Sequence, residues 1–371
     1  MCIKPIEIEN LENMKKFQYK TSDDSLLYNK CMSPCLNKVV NIFPIWLAPN
    51  IITLFSLGCN ILASLITFFD SGFDFSNELK SSTCIIIGLT QFLYQILDNL
   101  DGKQARRTGS SSPFGMLLDH GCDIFTNCLT CFNLSHLALL GNDSFYSVTV
   151  FIGLILGFFA MTYEEYKLGE LHFPIINATD EGNIILSSFA VFCGFFGQSW
   201  INYNFFGNLT IGKFIGLISI GGGISCVYNL FNHTYKKKGM KECLKIFLDW
   251  FYFYMVMAIP IIYSIYFTNF YELYKWSILG CMCLLFARVT MDLQIRIVTA
   301  DTIKGNYFII FINALLLISF VFNLYRDKLY ILCGVGTMLS AELLMFIIIR
   351  SNEITNYLGI KIFKINPQIQ I

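Results

Sequence analysis

Charge is what this chain has least of. Only 14% of its 371 residues are Asp, Glu, Lys or Arg, against roughly 25% in ordinary soluble domains. The few charges also cancel, 26 basic against 26 acidic, so the broad basic surface that a nucleic-acid partner needs is absent. Residues 1–45 are polar and mixed in charge with no early apolar core, so no cleavable signal peptide is expected. Internal repeats and low-complexity tracts are missing. The 14 cysteines show neither metal-ligand nor disulfide-framework spacing. Most of them, including Cys59, Cys84, Cys128, Cys131, Cys281 and Cys283, lie in apolar runs as small hydrophobes. What is present is apolar: 55% hydrophobic and 16% aromatic residues. This composition excludes a soluble domain and implies a polytopic membrane protein.

Apolar runs of about 18 to 25 residues are long enough to cross a bilayer as helices. Ten are expected, over about 49–69, 82–101, 113–140, 145–166, 183–200, 210–231, 246–267, 276–294, 305–324 and 329–350. The predicted fold is therefore an all-α polytopic membrane protein with about ten transmembrane helices. It divides into an amphipathic N-terminal segment, 1–45, a six-helix core, 46–231, and a four-helix region with a short tail, 232–371. Basic residues set the orientation. With ten spans, Lys80, Lys213, Lys275, Arg326 and Lys328 fall on one side, Arg288 falls within a span, and the rest of the 26 fall on the other, including the cluster Lys236–Lys238. That richer side is expected to be cytosolic and to hold both termini. The sequons at Asn142 and Asn208 fall on the poorer side.

Residues 98–123 read DNLDGKQARRTGSSSPFGMLLDHGCD. Asp98, Asp101, Asp119 and Asp123 sit on segments that otherwise read as membrane helices, where an uncompensated carboxylate costs several kcal/mol. One pair is spaced by three residues and the other by four, so each pair projects from one helix face. Four convergent hard oxygen donors suit Mg²⁺, Mn²⁺ or Ca²⁺. From two helices they could hold two ions about 3.5–4 Å apart, a geometry used in phosphoryl displacement. Gly102 allows close approach of a phosphate, Ala105 keeps the same wall small, and Arg106 offers a bidentate fork. Lys103 and Arg107 either contact the ligand or face lipid headgroups. Pro113 suits a helix first turn, and Gly115 lies one turn before Asp119. A proton acceptor completes the set. His120 is the strongest candidate, because imidazole accepts a proton near neutral pH; Asp119 and Asp123 are alternatives. A competing reading makes His120 only a brace for a neighbouring carboxylate.

The pattern Asp98-x2-Asp101-Gly102-x2-Ala105-Arg106-x8-Gly115-x3-Asp119-x3-Asp123 resembles the signature of the CDP-alcohol phosphotransferases at every position. Further stretches resemble the eukaryotic choline/ethanolamine phosphotransferase branch: Tyr19-Lys20, Ser25 to Leu27, Phe43 to Thr53, Asp101 to Thr108, Asp119 to Asp123, Glu165-Tyr166 and Gly169 through Pro174. Asn356 to Ile360 is a weaker match. Ile124, Phe125 and Thr126 depart from it, being larger and less polar than usual there.

The resemblance implies roles. Asp98, Asp101, Asp119 and Asp123 would be metal ligands for Mg²⁺ or Mn²⁺, two ions in all. Asp101, Gly102, Ala105 and Arg106 would line the CDP pocket, with Asn50 and Thr53 near the nucleotide. His120 would be the catalytic base, with Asp119 and Asp123 beside it, which makes residues 46–231 a catalytic core. The implied reaction moves phosphocholine or phosphoethanolamine from CDP-choline or CDP-ethanolamine to diacylglycerol, giving the phospholipid and CMP. Tyr94, Tyr163, Glu164 and Glu165 are candidates for lining a cationic head group. The resemblance further implies a homodimer in endoplasmic reticulum or Golgi membranes with a cytosol-facing site. Rival readings are a relative with another alcohol, such as inositol, and a cation transporter, which also buries acidic residues but has no need of Gly102, Ala105 and Arg106.

Overall fold

A backbone in hydrocarbon must satisfy its own hydrogen bonds, so long apolar runs become helices. The computed structural model describes residues 3, 5–174, 177–303, 310–312 and 328–365, and helices dominate it. Ahead of the apolar runs come α1 (Ile8–Lys16), β1 (Thr21–Asp23) and α2 (Ser33–Val39). The long helices that follow are α3 (Pro49–Ser71), α4 (Ser81–Arg107), α5 (Pro113–Leu137) and α6 (Ser144–Leu168). A short strand, β2 (Leu171–Phe173), leads to α7 (Asn183–Phe196), the β3–β4 hairpin (Asn204–Phe206 and Leu209–Thr210) and α8 (Ile211–Lys238). Then come α9 (Met240–Asp249), α10 (Phe251–Tyr266), α11 (Thr268–Thr299) and α12 (Lys328–Leu358).

Helices α3, α6, α8, α11 and α12 are long and apolar enough to cross a membrane. The pair α9 and α10, bent by 52°, makes a sixth if it forms one span. The described residues thus give five or six candidate spans where the sequence predicts ten. Helices α4 and α5, with 27 and 25 residues, rise about 40 and 37 Å, enough for a core of about 30 Å. Their polar motif ends keep them out of the apolar set. The span expected at 183–200 is instead the 14-residue α7, about 21 Å long, which stops at Gly197 (φ 74°). The span expected at 305–324 lies outside the described residues except for 310–312. The fold also carries two small two-stranded sheets, β1–β2 parallel and β3–β4 antiparallel, so it is not purely helical.

Lipid tails are as apolar as leucine, so helices in a membrane associate through close packing and buried polar bonds, not through hydrophobic transfer. The α6–α8 contact shows the first. A Cβ on Gly153 would meet the Ser219 carbonyl at 2.3 Å, and one on Gly223 would meet the Gly153 oxygen at 2.5 Å. The main core joins α5, α6, α10, α11 and α12 through aromatic stacking, with Phe159 on Phe253 at 4.1 Å and Phe132 on Trp276 at 4.8 Å. Polar fastening is concentrated at the end of the bundle where α4, α6, α8 and α11 begin. There Lys275 donates to the Gly141 carbonyl (2.8 Å) and to Glu272 (3.1 Å). Lys80 pairs with Asp70 at 2.9 Å, and Lys213 with Asp143 at 3.2 Å.

At the opposite end α3 and α5 begin and α4, α6, α8 and α11 finish. The N-terminal segment is folded onto this end. Leu11 and Met14, three residues apart on α1, are buried, Met14 among Phe114, Val298, Ile354 and Leu358. Gly169, at φ 74°, ends α6 and turns the chain into β2, whose Leu171, His172 and Phe173 pair with Thr21, Ser22 and Asp23 of β1.

Gly153→Ala is expected to cost about 1–3 kcal/mol, because its methyl group meets backbone that cannot rotate away. Thermal unfolding of the purified protein in detergent checks this, and an unchanged midpoint contradicts it.

Candidate functional site

The local sequence dictates how the aspartates meet. Helix α4 runs past Asp98 and Asp101 to Arg107, and Gly109 takes the left-handed turn at φ 62°. Ser112 then caps α5, its Oγ accepting from the Gly115 amide at 3.0 Å, and Pro113 occupies the first turn. A turn of five residues, 108–112, therefore folds α5 back beside α4. The last turns of one helix face the first turns of the other.

Carboxylate oxygens of Asp98, Asp119 and Asp123 lie within 4.8 Å of one another. Asp101, 4% exposed, stands against the same group next to Asp119 and Asp123 and accepts a short hydrogen bond from Thr53 Oγ1 of α3. Tyr94, one turn before Asp98, donates its hydroxyl to Asp123 Oδ1 at 2.5 Å. Asp119 Oδ1 is buried with no hydrogen-bond partner. At an effective dielectric of 20, each pair of like charges at this spacing repels by about 3 kcal/mol. An all-oxygen donor set with an orphaned buried oxygen fits a hard divalent cation, and these residues are the ones that could hold it.

His120 sits beside Asp119 on α5. Tyr19, just before β1, reaches it with its hydroxyl 3.4 Å from Nε2 and an edge-on ring contact at 5.5 Å. Partial burial, and then the carboxylates of Glu165, Asp119, Asp123 and Asp98, push the Tyr19 phenol well above its usual value. It therefore stays protonated. Glu165, 3% exposed, comes from the last turn of α6 and interacts electrostatically with His120.

The remaining candidates lie in different surroundings. Arg106 folds back over Gly102, its Nη1 lying 3.5 Å from where a Cβ would sit, an ordinary contact. Arg106 is exposed and has no carboxylate partner among the described residues. Ala105 shares that face. Asn50 is near the start of α5, its Oδ1 3.6 Å from a Cβ built on Gly115, but its amide donates to the Ile362 carbonyl at 2.7 Å. It is tied to the C-terminal tail.

Lys103 and Arg107 are not free for a ligand. Lys103 donates to Ser33 (3.1 Å) and Asn37 (2.8 Å) and lies over the Tyr28 ring, while Arg107 holds the Val40 and Phe43 carbonyls. Both brace the N-terminal segment. Of the four head-group candidates, Tyr94 and Glu165 reach the site. Tyr163 instead donates to Asp249 at 2.5 Å within the α10 aromatic cluster, and Glu164 holds His233 at 2.7 Å. Successive helical residues point about 100° apart, so only one of the three consecutive residues 163–165 can face His120. Tyr19 carried no chemical signal in the sequence, because its partner is 101 residues away.

Comparison with known proteins agrees with this geometry. The CDP-alcohol phosphatidyltransferase family model matches residues 46–180, a segment that contains all four aspartates, His120 and Glu165. A CDP-alcohol phosphatidyltransferase class-I family protein of Dictyostelium discoideum is 38% identical over 51% of this chain and 47% of its own. Choline/ethanolaminephosphotransferase 2 of Arabidopsis thaliana is 35% identical over 50% of this chain and 47% of its own. Cholinephosphotransferase 1 of Saccharomyces cerevisiae is 32% identical over 52% of this chain and 48% of its own. The chain thus spans about half the length of these curated relatives. Residues 46–180 thus match the CDP-alcohol phosphatidyltransferase family model, in a chain whose described residues hold five or six helices long and apolar enough to cross a membrane.

Proposed function

We propose that the chain transfers a phosphoalcohol, phosphocholine or phosphoethanolamine, from its CDP ester to the hydroxyl of diacylglycerol, releasing CMP. The observation that carries this reading is the packing of three carboxylates within 4.8 Å of one another, Asp119 Oδ1 having no hydrogen-bond partner, on the same two helices that carry Arg106 and the His120 imidazole. A cation transporter would explain the carboxylates but not the arginine and the imidazole. The names of the plant and yeast relatives support the choice of alcohols.

Bound Mg²⁺ or Mn²⁺ would neutralise the diphosphate and stabilise the departing CMP. Asp98, Asp119 and Asp123 would hold the cations, with Asp101 completing the set. Thr53 fixes the Asp101 carboxylate and Tyr94 fixes that of Asp123, so both are oriented before substrate arrives. Arg106, hinged over Gly102, is placed to fork a phosphate. His120 would take the acceptor's proton as that oxygen attacks the β-phosphorus. The bond from this phosphorus to the CMP oxygen breaks and the CMP phosphate carries away the electron pair. The Tyr19 hydroxyl and the Glu165 carboxylate restrain the imidazole, and Glu165 would stabilise it once protonated.

The site end of the bundle is proposed to face the cytosol, in an endoplasmic reticulum or Golgi membrane. Supporting this, Lys16, Lys20, Lys167, Lys238 and Arg296 come from four separate chain segments and share one cleft at that end, as the distribution of basic residues requires.

Purified full-length protein with Mg²⁺ or Mn²⁺, offered CDP-choline, CDP-ethanolamine and a CDP-lipid in separate reactions with diacylglycerol, is expected to release CMP from the first two donors only. Release from the CDP-lipid alone contradicts the proposed substrate. His120→Ala is expected to lower turnover by about 10²–10⁴ while leaving the protein folded. Asp123→Asn should lower turnover at least as far and raise the cation concentration needed for half-maximal rate; wild-type rates in both variants refute the mechanism.

A further inference from the structure

Beside the aspartate cluster lies a cleft of about 690 Å³ whose walls include none of the four aspartates. Its size is in the range of small-ligand sites, about 300–1,000 Å³. Lys16, Lys20, Lys167, Lys238 and Arg296 line it, against the carboxylates Glu165, Glu242 and Asp301. Two of the cations are already committed. Lys167 reaches Glu242 at 2.8 Å, and Arg296 pairs with Asp292 at 2.8 Å and Asp301 at 3.3 Å. Lys16 and Lys20 have no ion pair among the described residues, and Lys238 donates to the Lys167 carbonyl, which carries no charge. Five cations thus face three carboxylates in the lining, and although Lys20 also acts on nearby Glu170, the concave surface carries net positive charge. Lys238 closes the run Lys236–Lys238 at the end of α8, and the fold brings Lys16 of α1 and Lys20 before β1 to it from the other end of the sequence.

We propose that this cleft is a binding site for a phosphate-bearing anion, separate from the metal centre. Lysine ammonium groups on flexible stems gather around phosphate as point charges, and a wet, open cleft keeps them hydrated until an anion displaces water. The same chemistry is offered by free phosphate esters and by the headgroups of anionic lipids, to which clustered lysines next to a membrane are attracted. The wall the two sites share is Glu165. It bounds the cleft on one face and interacts with His120 on the other, so the anion would sit one side chain from the proposed base. The proposal rests on the cleft's own charge and shape and stands whether or not His120 is the base.

Lysine acylation read by mass spectrometry on the full chain in phosphatidylcholine nanodiscs tests it. One arm adds inorganic phosphate at constant ionic strength, a second replaces part of the lipid with phosphatidic acid, and a third adds chloride only. Lys16, Lys20 and Lys238 are expected to react about threefold more slowly at an anion concentration of about twice the dissociation constant, with Lys30 unchanged. Protection by both anions identifies any phosphate as ligand, and protection by phosphatidic acid alone identifies a lipid headgroup. Lys16→Gln/Lys20→Gln should abolish protection of Lys238, and Asp123→Asn should leave it intact, which separates this site from catalysis. Equal reactivity in every arm, or equal slowing of Lys30, overturns the proposal.

Discussion

Three carboxylates within 4.8 Å, backed by a fourth, are the constraint on which the rest of this structure depends. Each close pair, when charged, repels by about 3 kcal/mol even at a generous dielectric, a cost that a cation among them would remove. The protein holds them together nonetheless. The Ser112 cap and the Gly109 turn bring α4 and α5 side by side, Thr53 ties Asp101 to α3, and Tyr94 ties Asp123 back to α4. The polar atoms that remain unsatisfied, Asp119 Oδ1 first, mark where the compensating charge belongs. The folded scaffold meets the cost of a preorganised centre, which leaves the substrate to be bound and not the site to be built.

The two ends of the bundle do different work. Where α4, α6, α8 and α11 begin, lysines paired with Asp70, Asp143 and Glu272 lock the helices. At the site end, the basic residues Lys103 and Arg107 are spent on holding the N-terminal segment in place. That segment returns the investment by pairing β1 with β2 and laying Tyr19 against His120. Asn50 bonded to Ile362 draws the C-terminal tail to the same place. Segments far apart in sequence thus converge on a site whose chemistry sits in 26 consecutive residues.

That concentration explains what the sequence made legible. Charge inside apolar helices is rare, so the four aspartates, Gly102, Arg106 and His120 stood out, and Pro113 marked the start of α5 to the residue. Apolarity reports only the part of a helix in hydrocarbon, so α4 and α11 extend well beyond the spans expected at 82–101 and 276–294. The break between α9 and α10, bent by 52° just after Asp249, was not foreseen either, because the expected run over 246–267 straddles it. Tertiary contacts were not legible at all. Lys103 and Arg107 read as contacts to a ligand or to lipid headgroups because their partners, Asn37 and the Val40 carbonyl, lie more than sixty residues away. Tyr163 and Glu164 read as neighbours of Glu165, although the helix turns them toward Asp249 and His233.

The most direct test of the central claim is anomalous diffraction from the protein crystallised with Mn²⁺ in place of Mg²⁺. The account predicts an anomalous peak among the Asp98, Asp119 and Asp123 carboxylates, with metal–oxygen distances of about 2.1 Å and Asp119 Oδ1 among the ligands, lost in Asp119→Asn. No peak there at saturating Mn²⁺, with the carboxylates still packed as they are now, would contradict it.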